Sequence, residues 1–150
     1  MTKDVLVTIC GLQNGPETDG EPIEMTVAGE YFYKNNKHYI LYDEVMEGET
    51  QVTKNRIKIS EGQMELTKHG VVNVNMIFEK DKKNIAFYQT PMGTIEMDIA
   101  ATRVMMAESE KAIEVQAEYA LGMNGSAVAD CVMNIRVTPQ GDKENTTFFK

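Results

Sequence analysis

Apolar and polar residues alternate with a period of two along most of the chain, the pattern of strands that bury one face. From Gly93 onward Ile95, Met97, Ile99, Ala101 and Met105 hold one phase, while Glu96, Asp98, Ala100 and Thr102 hold the other. The next run repeats it, with Ile113, Val115, Ala117, Tyr119 and Leu121 against Glu114, Gln116, Glu118 and Ala120. Its Ala and Glu content also suits a helix. A helical stripe from Ile113 would present Gln116, Ala117 and Ala120, a poorer apolar face than the alternation offers, so a strand is predicted. Three further runs behave alike: Ile23, Met25, Val27, Gly29, Tyr31 and Tyr33; Val72, Val74, Met76 and Phe78; Cys131, Met133, Ile135 and Val137.

Turn residues separate these runs at short intervals: Asn35-Asn36, Glu47-Gly48, Glu61-Gly62, His69-Gly70, Asp81-Lys82-Lys83-Asn84, Pro91-Met92-Gly93, Glu108-Ser109-Glu110 and Met123-Asn124-Gly125. Asn and Gly tolerate the positive φ of tight hairpins. With the loop Asn14 to Gly20, these connections imply about ten antiparallel strands joined mostly as neighbouring hairpins. A flat sheet of that size would leave an apolar face wet and two edges unpaired; closure into a barrel removes both problems. The predicted fold is all-β, a single antiparallel up-and-down barrel of about 8–10 strands, wide enough inside for side chains or one small ligand. It spans residues 1–139, and a polar tail, 140–150, follows with Phe148-Phe149 near its end. A two-sheet sandwich is the alternative, disfavoured because such folds use longer crossovers.

Composition agrees with one domain: 150 residues, 42% hydrophobic and 7% aromatic with no Trp, long enough for a core without disulfides or metals. The net charge of −8 opposes polyanions. Lys54, Arg56 and Lys58 share one strand face and Lys80, Lys82 and Lys83 lie together, but no aromatic residues interleave with them, so both groups read as solvated faces. No apolar run approaches the roughly 18 residues of a membrane span, and the apolar start Val5 to Cys10 is too short for a signal h-region. A cytoplasmic protein with reduced Cys10 and Cys131 is expected, and the sequons at Asn124 and Asn145 are then chance matches.

The run Gly29-Glu30-Tyr31-Phe32-Tyr33-Lys34-Asn35-Asn36-Lys37-His38-Tyr39-Ile40-Leu41-Tyr42-Asp43-Glu44 resembles the second hairpin of the YwiB-like bacterial family. Met76-Ile77-Phe78-Glu79 and Tyr88-Gln89-Thr90-Pro91-Met92-Gly93-Thr94-Ile95 are similar to a second block of it, and the likeness covers most of Val5 to Val137. It departs from the family pattern at Lys68-His69-Gly70 and near Asn75, where the family favours other basic residues. The resemblance implies a calycin-like, lipocalin-like barrel of bacterial origin and no established activity.

Nothing in the sequence marks an enzyme class: there is no phosphate-cradling Gly-rich loop, G-x-S-x-G elbow, H-E-x-x-H or C-x-x-C. No catalytic residue, cofactor or metal site is therefore assigned. His38 and His69 read as exposed hairpin residues, and Cys10 and Cys131, in the first and last strands, as small buried hydrophobes that approach one another if the barrel closes. The carboxylates of Glu96, Asp98, Glu110, Glu114 and Glu118 fall on the polar phase, an outer face.

Methionine is the unusual feature. There are 11, and Met25, Met64, Met76, Met97, Met105 and Met133 fall on apolar phases, either filling the core or forming a deformable lining for a ligand. Two cations share such phases: Arg103 with Met97 and Met105, and Lys68 with Met64 and Leu66. A buried cation needs a carboxylate, tyrosine hydroxyls such as those of Tyr31 and Tyr33, or an anionic ligand head group. Alternatively the strand bulges near Ala101-Thr102 and leaves Arg103 in solvent. The ligand-binding candidates are thus Arg103, Lys68, Tyr31, Tyr33, Met97 and Met105. The function these residues suggest is binding of a small hydrophobic or amphipathic molecule inside the barrel; the alternative is a filled core whose surface docks another protein. The partners allowed are that ligand and a second copy in a homodimer, with no nucleic acid and no membrane span.

Overall fold

Ten strands follow one another: β1 (Asp4–Asn14), β2 (Ile23–Lys34), β3 (Lys37–Val45), β4 (Val52–Ser60), β5 (Gln63–His69), β6 (Val74–Glu79), β7 (Lys82–Thr90), β8 (Gly93–Glu108), β9 (Ile113–Met123) and β10 (Ser126–Pro139). This computed structural model describes residues 2–14, 23–45, 48 and 50–140, so the Asn14 to Gly20 loop beyond Asn14, Glu47 and the tail after Gln140 lie outside the described residues. All ten strands join one antiparallel sheet in the order β6-β5-β4-β3-β2-β1-β10-β9-β8-β7. Every strand pairs with its neighbours in sequence except at β6 and β7, the two ends of this order; β1 pairs with β10, and the sheet curls into a nearly closed up-and-down barrel.

The alternation sets which side chains enter the lumen. Val5 and Val7 of β1, Ile40 of β3, Ile57 and Ile59 of β4, Met64 of β5, Ile113 and Ala117 of β9, and Ile135 and Val137 of β10 are almost wholly buried. Their strand neighbours Lys54, Arg56, Glu114 and Arg136 face water. The ambiguous segment Ile113–Met123 is a strand, as its period-2 pattern requires. β2 overshoots the barrel at both ends, so Ile23 and Tyr33 share the inward phase yet stay exposed.

Local chemistry fixes the turns. Asn35 and Asn36 both take positive φ, 54° and 63°, the conformation a two-residue hairpin of this hand needs. The turn expected at Asp81 to Asn84 comes earlier, at Lys80-Asp81, where Asp81 has φ 63° and its N–H reaches the Ala101 carbonyl at 2.8 Å. Lys82, Lys83 and Asn84 belong to β7: one strand edge can carry polar side chains as readily as a loop.

Besides a register shift in the β9–β10 ladder between Ala127 and Ala129, two irregularities shape the wall. The β8–β9 register shifts between Ala101 and Arg103, a bulge that inverts the phase of the rest of β8. Arg103 and Met105, expected inside, therefore face out, and Val104, Met106 and Glu108 take the inward phase opposite Ala117, Val115 and Ile113. The other irregularity is the meeting of β6 and β7. These strands carry no continuous ladder; Asn73 and Gln89 exchange N–H···O bonds of 2.9 and 2.8 Å, and that is their one bridge.

Cys10 and Cys131 do lie on adjacent strands. Cys10 is opposite Asn134 with its side chain outward, whereas Cys131 is opposite Gln13 and buried inside, so the wall of the barrel separates the thiols.

Candidate functional site in the barrel interior

Among the described residues, two polar groups and a cavity mark the lumen. The first polar group is built on β3, β4 and β5, where the inward phase passes through Glu44, Asn55 and Lys68. Lys68 Nζ donates to Glu44 Oε1 at 3.0 Å and to Asn55 Oδ1 at 2.8 Å, and Asn55 Nδ2 donates to Glu44 Oε1 at 3.3 Å and to the Thr53 carbonyl at 3.3 Å. The cation on an apolar phase thus has a carboxylate partner of the protein itself, and the pair contributes no net charge to the interior. Burial pushes the nearby Tyr42 phenol up, and the Glu44 charge adds to the rise.

The second group closes the end of the barrel formed by the β2–β3 hairpin. His38, expected to be exposed, is 4% exposed, because it shares the inward phase of β3 with Ile40 and Tyr42. Its Nδ1 lies 2.7 Å from the Tyr31 hydroxyl, its Nε2 lies 3.6 Å from Glu108 Oε1, and the Tyr33 ring leans against it at 4.9 Å. Burial, then the Glu108 carboxylate and Tyr33, raise the Tyr31 phenol above its ordinary value. Tyr31 and Tyr33 are therefore committed to this end and do not reach Lys68. His69 remains exposed, and no group of three metal-ligating His, Cys, Asp or Glu side chains occurs among the described residues.

The cavity, about 290 Å³, lies under β6 to β9 and is lined by Met76, Tyr88, Ile95, Met97, Ile99, Tyr119, Leu121 and Met123. The inward positions Ala86, Ala101, Ala117 and Ala129 are small, and the Phe78 ring meets Tyr119 edge-on at 4.9 Å across the lumen. Space remains between these props and the two ends of the wall. Met97 stands directly opposite Met123, and Tyr88 opposite Ile95. Met76 and Tyr88 come from β6 and β7, on either side of the irregular seam. Burial, then the Glu44 carboxylate, raise the Tyr88 phenol, so the polar network lies within electrostatic reach of the cavity. Tyr119 is raised by burial and by the Cys131 thiol opposite it on β10; burial likewise pushes the Cys131 thiol up. On the same wall the Asn84 amide Nδ2, next to Ile99, is buried with no partner among the described residues.

Of the expected ligand-binding residues, Met97 lines the cavity and Lys68 belongs to the polar network near it. Tyr31 and Tyr33 lie at the hairpin end, and Arg103 and Met105 stand outside, where Arg103 Nε is 3.9 Å from Glu118 and 2.8 Å from the Met105 sulfur. Glu44, Asn55, Tyr88 and Tyr119 are not among the ligand-binding candidates the sequence offers. Their signal was present: each sits on the same alternate phase as an apolar strand neighbour, at Tyr42, Ile57, Ala86 and Ala117.

Comparison with known proteins agrees with this architecture. A domain of unknown function, DUF1934, matches residues 7–135. The chain belongs to the DUF1934 family. It is 28% identical over 127 residues to the uncharacterized beta-barrel protein YwiB of Bacillus subtilis (strain 168), covering 83% of this chain and 87% of YwiB. The crystal structure of ywiB protein from Bacillus subtilis superposes with a TM-score of 0.81 over 91% of this chain and 92% of that one, at 22% identity. This DUF1934 chain therefore shares its barrel with a bacterial relative whose function is likewise open.

Proposed function

We propose that the barrel is a non-catalytic binding module that holds one small, uncharged, largely apolar molecule in its interior. The observation that carries the reading is the cavity of about 290 Å³ on the β6–β9 wall, whose volume is close to the lower bound of small-molecule sites and whose lining is apolar with a few polar groups nearby. Lys68 is already neutralised by Glu44, so an anionic head group would have to displace a carboxylate to gain its contact. That favours a neutral guest over a fatty acid. The wall is apolar inside and charged outside, the reverse of a barrel that crosses a lipid bilayer, which supports a cytoplasmic setting and a calycin-like mode of binding. No helix of the described residues is long and apolar enough to cross a membrane.

One observation favours a second reading, docking of a protein on the outside. Ile85 and Phe87, both about half exposed, face out along β7 beside the seam.

The test is a titration with the neutral two-ring fluorescent probe 6-propionyl-2-dimethylaminonaphthalene. Saturable binding by the wild type that weakens by about tenfold, on the order of 1.4 kcal/mol, in Ile95→Phe supports the interior site, provided the variant keeps its unfolding midpoint. Absence of saturable binding by the wild type overturns it.

A further inference from the structure

Resting on the interior site just described, we infer that its guest is aromatic: a planar one- or two-ring neutral molecule gripped by thioethers. Three methionines, Met76, Met97 and Met123, line one cavity. Met97 and Met123 are a direct cross-strand pair on β8 and β9, so their side chains rise side by side from adjacent strands, about 5 Å apart at Cβ. Met76 reaches the same space from β6.

A cavity made for a saturated chain needs only branched aliphatic walls, which Ile95, Ile99 and Leu121 already supply. Sulfur adds something they lack. A polarizable thioether attracts the edge of an aromatic ring at about 5 Å, and an unbranched Met side chain shifts to meet a flat guest of varying outline. Tyr88 and Tyr119 add ring faces against which a second ring packs edge-on or offset. The charge balance of Lys68 and Glu44 excludes a requirement for an acid or an amine. The volume admits one or two rings rather than a long chain.

Two matched neutral probes separate sulfur recognition from simple burial: benzyl alcohol and cyclohexylmethanol. The saturated ring is the more hydrophobic of the two, so area burial alone ranks it first. The protein is labelled with ¹³C at the methionine methyl groups and titrated with each alcohol by NMR. Benzyl alcohol is expected to bind at least fivefold more tightly, with ring-current shifts concentrated on Met76, Met97 and Met123. The double variant Met97→Leu, Met123→Leu conserves volume. It is expected to lose the aromatic preference while still binding cyclohexylmethanol. Equal or tighter binding of cyclohexylmethanol by the wild type overturns the inference and leaves the interior site standing. So does an unchanged preference in the double variant. If neither alcohol shifts the three methyl signals of the wild type, the interior site itself fails. Should the double variant not fold, the wild-type pair of titrations decides alone.

Discussion

The β1–β10 junction and the β6–β7 junction close the same barrel by opposite means. β1 and β10 stand at the two ends of the chain, yet they pair without interruption from Val5–Pro139 to Asn14–Asp130. β6 and β7 are separated by two residues, yet they share a single bridge at Asn73–Gln89. Proximity in sequence therefore does not decide where a ladder forms. Burial does: Val5, Val7, Ile135 and Val137 are all at or below 1% exposure, whereas Met76 on β6 and Tyr88 on β7 are half-buried around a cavity. The entropy of bringing distant strands together grows only logarithmically with loop length, so a continuous apolar stripe offsets it.

The largest expected effect tests that difference in packing. Ile135→Ala, in the sealed junction, should lower the unfolding free energy by about 3 kcal/mol, and Met76→Ala, beside the cavity, by about 1 kcal/mol, because Met76 is only partly buried and already lacks packing contacts on its cavity side. Urea midpoints with unchanged slopes measure both. Equal losses would mean that the seam is packed as tightly as the closure.

Slightly smaller is the contrast in local opening. Residues two apart along a strand send their main-chain groups the same way, so Asn75 and Ile77 of β6 and Ile85 and Phe87 of β7 face the seam as Asn73 and Gln89 do. Their amides should exchange with solvent at least a hundredfold faster than those of Val7 and Ile9, which lie between two ladders, a gap of about 2.7 kcal/mol. Protection as strong at Ile77 as at Val7 would contradict an open seam.

These contrasts also explain what the amino-acid pattern revealed. Ten strands, their order and the inward residues of β9 and β10 were legible, because alternation and turn residues act locally. A bulge or strand end near Ala101-Thr102 was one of the two readings the sequence left open for Arg103. An inserted residue inverts a phase without changing composition, and that inversion moved Arg103 and Met105 outside. His38 was misjudged since a position beside the Asn35-Asn36 turn suggests exposure, while its phase with Ile40 and its Tyr31 partner bury it. The cavity was legible only as an excess of methionine. Its lining is drawn from four strands, β6 to β9, and the Phe78–Tyr119 contact joins two of them that are far apart in sequence.

A third prediction concerns the network that braces the β5 side of the seam. Glu44→Gln leaves Lys68 largely buried without its carboxylate and should cost about 2 kcal/mol. Asp43→Asn, one residue away, breaks the exposed pair with Lys54 and should change stability by less than about 0.5 kcal/mol. The double variant Glu44→Leu, Lys68→Met should recover most of the first loss. Equal effects at Glu44 and Asp43 would show that the interior pair is solvated.

The smallest expected effect is the pH response of the outer tie between β5 and β6. Glu65 on β5 stands opposite Lys58 of β4 and Ile77 of β6, with Asn75 of β6 diagonal to it and in hydrogen-bond reach. Burial alone would raise its carboxyl, but hydrogen bonds from Asn75 and Lys58, with the charges of Lys58 and Arg56, outweigh burial and hold it below the ordinary value. A carboxyl lowered in the folded state contributes stability that is complete above its unfolded value, near about pH 4.3, and is lost as pH falls through the lower folded value. Glu65→Gln should therefore be less stable than the wild type at pH 7, and the two should converge toward pH 2.5. Because one partner belongs to β6, the protection of the Met76 amide, which faces β5, should fall in parallel, while that of Val7 stays constant. Parallel acid limbs for the two proteins would show that Glu65 does not hold β6 to the sheet.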